Sequence, residues 1–299
     1  MSFKNGLSTI VVATDLRGHS EAALEYARKL AGAYHSRIIL AYGTDPVEYA
    51  AVEGIPGDVR KGLSAEARAS LDKLAGDLLR EGIPSHTEIG QGAVAQMLVD
   101  VARQHQAGLI VIGTKGSEGA GPVIVGAVAE QLVRLAPCPV LAVAADWNAG
   151  ENRPTPGGPV LLAMERNEAA PEAVATAYSI AEVFERQLIV LHARTAAETV
   201  AFMNPIPTRA EQYGIDPNGS VKVRVVVKDG TPADVVAQAI SQFHPGILVV
   251  GVKRSSGTPG PHGTAFALLA CSRVPVLCVP PELKAEKATA GTMVSAIAG

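Results

Sequence analysis

The sequence predicts an α/β protein made of two tandem copies of one open, doubly wound parallel-sheet domain. Three observations predict it. Short apolar runs rich in β-branched residues alternate with stretches whose apolar residues step at three and four. Four of the short runs recur in the same order later in the chain, which indicates a tandem duplication. The 299 residues suit two domains, since typical domains run to about 100–150 residues. Hydrophobic residues make up 47% and charged residues 18%, which excludes an extended disordered chain. Aromatics are only 4%, so the cores must be built from Val, Ile, Leu and Ala.

The elements follow in order. Ile10 to Asp15 reads as a buried strand and recurs as Val160 to Glu165, offset 150. Ser20 is placed to cap a helix through Tyr34, with Ala23, Tyr26, Ala27 and Leu30 on one face. Arg37 to Tyr42 recurs as Gln187 to His192, again offset 150. A long helix is expected over Ser64 to Glu81. Val94, Met97, Leu98, Val101 and Ala102 mark a further helix, as do Val236, Ala239, Ile240 and Phe243 in the second copy. Gly108 to Gly113 returns as Gly246 to Gly251 at offset 138, and Pro139 to Val143 as Pro275 to Val279 at offset 136. The falling offset means that the second copy lacks about a dozen residues after its second strand, and with them most of the long helix. Asn204-Pro205-Ile206-Pro207 suggests a loop there. Asp146 to Pro159 lacks periodicity and reads as a linker. The expected domains are therefore 1–146 and 159–281, with 282–299 a flexible tail.

Charge and cysteine content narrow the function. A net charge of −3 argues against a general nucleic-acid binder, which needs a basic stripe. Cys138, Cys271 and Cys278 lack the spacing of a disulfide framework or zinc knuckle. Met1 to Gly6 has no apolar signal core, and no uncharged apolar run reaches the roughly 18 residues of a membrane span. The expectation is a soluble, cytoplasmic protein with neither a nucleic-acid nor a membrane partner.

In an open parallel sheet, ligands bind beyond the carboxyl ends of the strands, where the connections switch faces. Asp15 ends the first strand. Gly113 and Gly116 follow the fourth, and Gly126, after nine intervening residues, opens a helix. Glycine at 113 and 116 lets backbone lie close to a ligand. The first amides of a helix lack internal partners and carry the positive end of its dipole, so Gly126 heads a phosphate cradle that needs no basic cluster. A carboxylate such as Asp15 would repel phosphate and so marks the nucleoside end. Neither G-x-x-x-x-G-K-[ST] nor a G-x-G-x-x-G after the first strand is present, which argues against a P-loop NTPase and a dinucleotide dehydrogenase.

At these residues the sequence resembles the universal stress protein family, in both copies and over nearly the whole chain outside linker and tail. Ile10 to Asp15 is similar to the family's first strand with its terminal acidic residue. Gly113-x2-Gly116-x9-Gly126 is similar to its ATP-loop signature, G-x2-G-x9-G-[ST], and Val128 to Leu141 to its last helix and strand. The resemblance implies a five-stranded parallel sheet of order 3-2-1-4-5 with helices on both faces. It implies ATP, with or without magnesium, as the ligand. Asp15 and the backbone at Ala13 and Gly43 would face the adenosine, and Gly113, Gly116, Gly126, Ala127 and Val128 would cradle ribose and phosphates. It also implies an intrachain pseudo-dimer of the two copies through Pro139 to Ala144 and Pro275 to Val279, and leaves a homodimer open. The alternatives are a member that binds no nucleotide and a slow ATPase.

The copies depart from that pattern unequally. Ala127 stands where the signature has Ser or Thr. In the second copy Glu165 replaces the aspartate, Arg254 takes the second glycine's place, and Gly263-Thr264 retains the hydroxyl after a loop one residue shorter. The second copy is therefore expected to be degenerate. The seven histidines show no metal spacing, His19 being the one nearest the first strand's end, and Cys138 has no local histidine to activate it. No catalytic residue or metal is assigned.

Overall fold

The computed structural model of the chain describes residues 7–16, 18–44, 57–114, 126–145, 157–164, 171–194, 211, 214–216, 218–252, 264–272 and 274–281. The linker residues 146–156 and the tail 282–299 lie outside them.

The first half runs β1 (Thr9–Ala13), α1 (Glu21–Tyr34), β2 (Arg37–Thr44), α2 (Gly57–Arg80), β3 (Ser85–Gln91), α3 (Val94–Gln104), β4 (Leu109–Thr114), α4 (Ala127–Leu135) and β5 (Val140–Ala144). The second runs β6 (Val160–Met164), α5 (Pro171–Val183), β7 (Leu188–Arg194), β8 (Val223–Asp229), α6 (Pro232–Phe243), β9 (Ile247–Gly251), α7 (Thr264–Cys271) and β10 (Val276–Val279). All ten strands join one sheet of order β3-β2-β1-β4-β5-β10-β9-β6-β7-β8. Each half is thus a parallel sheet of order 3-2-1-4-5. The long helix starts earlier than its periodicity suggested, at Gly57. Between β7 and β8 the described residues contain no α-helix.

The strands are apolar on both faces because both faces are covered. Ile10 and Val12 point into one core with Ala23, Ala27 and Leu30 of α1, Leu71 and Leu78 of α2, and Ala177 and Ile180 of α5. Val11 points into the other, with Leu98 of α3, Leu132 of α4, Val235 of α6 and Leu268 of α7. The edge strands β3 and β8 are only half-buried along their length. They carry the polar and charged residues, such as Glu88 and Lys228, that discourage pairing with another chain.

The two halves meet at an antiparallel pairing, the one such pairing among the described residues, Leu277↔Leu141 and its neighbours on β10 and β5. Tyr34 meets Phe184 edge-on at 6.3 Å. The Tyr26 hydroxyl donates to the Gly246 carbonyl at 3.3 Å. Arg134 lies over the Phe266 ring at 5.2 Å. The antiparallel join turns the carboxyl ends of the second half's strands the opposite way from those of the first.

Ser20 corrects one expectation. It stands at the N-cap of α1, but its hydroxyl bonds no helix amide. It bonds Asp15 instead.

Candidate functional site

The crevice of the first half follows from the connections. β1 leads into α1 on one face of the sheet, and β4 leads into α4 on the other. The connections thus diverge to opposite faces at the carboxyl ends of β1 and β4, the arrangement that makes a switch point. Val12 pairs with Val111 and Ala13 with Ala41. Carrying those registers forward brings Thr14 level with Gly113, and Asp15 level with Gly43. Ala13, Asp15, Gly43 and Gly113 therefore share one edge of the sheet, and Gly126, Ala127 and Val128 open the helix that follows β4.

Asp15 is exposed. Its Oδ1 accepts from Ser20 Oγ at 2.7 Å, and Ser20 Oγ lies 3.0 Å from Thr14 Oγ1. The turn between strand and helix is tight: Leu16 has φ 56°, uncommon for a residue with a side chain. Its N–H donates to Thr14 Oγ1 at 3.1 Å.

Gly126 caps α4 at φ −71° and ψ 156°, an extended conformation open to any residue. A Cβ there would meet no described atom within 4 Å. No side chain caps the helix, and the amides of Ala127, Val128 and Ala129 have no acceptor within it. Ala127 is exposed, so this first turn faces solvent.

Gly43 is a glycine for a different reason. It pairs with Gly90 on β3. A Cβ at Gly43 would stand 2.6 Å from Met97 Cε and 3.1 Å from a Val94 methyl. A Cβ at Gly90 would strike Met97 Cγ. The two glycines form a slot in the sheet that the Met97 side chain of α3 fills. The slot, like the Ser20–Asp15 bond, is absent from the sequence reading. Gly43 opposite Gly90 is visible only once the register is known.

Gly116, Glu165, Arg254 and Gly263 lie outside the described residues, as do the side chains of His19 and Thr264. Cys138 and Cys278 are buried free thiols, and desolvation pushes each from 9.0 up to about 12. A thiol so protonated is a poor nucleophile. His35 and His244 serve as left-handed C-caps of α1 and α6.

A cavity of about 340 Å³ opens at the amino ends of β2 and β3, lined by Arg37, Ile39, Pro84, Ser85, His86 and His105. Its polar groups are already matched. His105 Nε2 and His86 Nε2 lie 2.8 and 3.4 Å from Glu88 Oε1, and Arg37 Nε donates to Thr9 Oγ1 at 2.9 Å. The switch-point crevice, where the first turn of α4 has no side-chain cap and opens on a bare glycine, is the stronger candidate.

The fold defines a class: a doubly wound α/β protein of two parallel sets of strands, with its candidate site at the carboxyl edge of the first set. The comparisons make this specific. The profile of the universal stress protein family matches residues 6–144. A universal stress protein of Methanocaldococcus jannaschii is 30% identical over 145 residues, which span 47% of this chain and 84% of that protein. A universal stress protein of Mycolicibacterium smegmatis is 27% identical over 213 residues, 69% of this chain and 70% of that one. The crystal structure of a universal stress protein from Archaeoglobus fulgidus superposes with a TM-score of 0.72 at 17% identity, covering 92% of this chain and 98% of that one. That last likeness is one of fold. The chain belongs to the universal stress protein family.

Proposed function

We propose that the first half binds ATP or a related adenine nucleotide in the switch-point crevice, and that occupancy biases the protein's interactions rather than driving turnover. The observation that carries this reading is Gly126. Its backbone conformation does not require glycine, and no described neighbour excludes a side chain. In this reading glycine there leaves room for a ligand to approach the bare first turn of α4. Such a turn holds phosphate through amides and dipole, which suits a protein of net charge −3. Asp15, at the end of the strand beside β4, takes the nucleoside end through its hydrogen-bond acceptors.

The residues fit the group incompletely. Ala127 offers no hydroxyl, and a hydrogen bond to a charged phosphate is worth roughly 1.5–3 kcal/mol. The reading therefore includes weakened binding, about 10- to 150-fold below that of a hydroxyl-bearing site. Ala127 is also what favours the second reading, a family member whose glycines are turn residues and which takes no nucleotide.

The reading extends to organisation. Residues 1–146 and 159–281 act as two domains forming an intrachain pseudo-dimer in the cytoplasm. The antiparallel contact of β5 with β10 supports this. The second domain acts chiefly as partner to the first.

Denaturing the purified protein and chromatographing the supernatant, followed by calorimetric titration with MgATP, tests the proposal. Neither released nucleotide nor heat at millimolar ATP would leave the second reading standing. Gly126→Val sharpens the test. Its backbone angles suit valine and nothing described crowds it, so the protein should fold with a loss of about 1 kcal/mol at the cap. Binding should vanish. If it survives, the ligand lies elsewhere.

A further inference from the structure

We propose that Ser20, acting with Thr14, is a positioning residue that holds Asp15 in the orientation the nucleoside requires. The inference rests on the nucleotide reading above.

The Ser20 hydroxyl is in an unusual use. Serine at an N-cap ordinarily accepts from a first-turn amide, and its loss there costs about 1 kcal/mol of helix stability. Ser20 forgoes that bond. Its hydroxyl donates to Asp15 Oδ1 at 2.7 Å, within the range of a charge-assisted bond. Since the one Ser20 proton is spent on Asp15, the contact of 3.0 Å with Thr14 must run the other way, from Thr14 Oγ1–H to Ser20 Oγ. Thr14 Oγ1 in turn accepts from Leu16 N–H at 3.1 Å. The result is a directed relay, Leu16 N–H to Thr14 to Ser20 to Asp15, in which each bond polarises the next.

The backbone contributes to the same end. Leu16 holds a left-handed φ of 56°, a conformation that persists in a residue with a side chain only where its surroundings impose it. That turn aims the Leu16 amide back at Thr14. Thr14 is itself fixed to the sheet, its N–H donating to the Ala41 carbonyl at 2.9 Å. The carboxylate at the strand end is therefore anchored to the sheet on one side and to the start of α1 on the other. An exposed aspartate without such anchoring samples several rotamers and must be ordered when ligand binds. Here that ordering is done in advance.

The test is a double-mutant cycle on MgATP and adenosine affinity, with Ser20→Ala, Asp15→Ala and the double variant. Ser20→Ala should weaken both ligands about tenfold. The loss should be equal for both, because it acts at the nucleoside end. In the Asp15→Ala background Ser20→Ala should cost nothing more. Ser20→Thr, which keeps the hydroxyl, should restore binding. Thr14→Val covers the case in which Ser20→Ala does not fold, and should weaken binding in the same direction. Two results overturn the inference while leaving the nucleotide reading intact. One is wild-type affinity in Ser20→Ala; the other is an equal loss with and without Asp15. A wild-type protein that binds neither ligand overturns both.

Discussion

Glycines that look alike in a sequence do different things. Gly126 and Gly43 both lie in the pattern that the resemblance ties to nucleotide. Of these two, Gly126 is the one whose added Cβ would meet no described atom. Gly43 is demanded by Met97, which occupies the space its side chain would fill. Gly43→Ala should thus destabilise the protein by about 1–3 kcal/mol through overpacking. Shortening the intruder should relieve it: Gly43→Ala combined with Met97→Ala should be less destabilised than the sum of the single changes. Urea unfolding of the four proteins checks this, and strict additivity would mean that the slot relaxes by some other movement. The single-residue signals that were legible, Asp15 and Gly126, sit at the ends of strongly patterned elements. Ser20 was visible only as a helix cap, because the bond it makes instead depends on how the turn through Leu16 folds back.

Among the elements, the last strand of each half carries the clearest consequence. β5 and β10 are buried along their whole length. Cys278 lies on β10 opposite Val140, and Cys138 lies just before β5. Burial holds both thiols at about 12 against 9.0. The sign follows from proton counting. Between those values the unfolded chain has released protons that the folded chain retains. The contribution is fully present below about pH 9 and is lost as pH rises toward about 12, at about 1.4 kcal/mol per pH unit for each thiol. Tyr34, held by desolvation at about 12 against 10.0, adds to the same trend. Urea midpoints should therefore fall between about pH 8 and pH 10, and Cys278→Ala should flatten the decline. An unchanged slope in that variant would show that the thiol is not the source. The strands themselves were legible as apolar runs. The long helix was legible in its second part and began earlier than its pattern, since α2 mixes charged and small residues at its start.

Across the whole molecule, two cores run unbroken through both halves, one on each face of a single ten-stranded sheet. The antiparallel join makes the carboxyl ends of the two parallel sets point in opposite directions. Asp15 and the carboxyl ends of β1 and β4 thus belong to the first half alone. The join also leaves a liability. A fragment of residues 1–145 would expose β5, an apolar edge that needs covering. It should self-associate by pairing two β5 strands antiparallel, in the manner that β10 pairs with β5 here. Sedimentation of the fragment decides this. A well-folded monomer would show that the edge needs no partner.

The sequence by itself determined the strands and the residues that stand at the carboxyl ends of β1 and β4. Those properties reside in local apolar runs and in spacing, which survive without knowledge of what packs where. Tertiary structure alone decided the antiparallel register of Leu141 with Leu277, the slot that Gly43 and Gly90 make for Met97, and the diversion of Ser20 from helix cap to Asp15. Each depends on which atoms meet across a distance in the chain, and periodicity carries no record of that.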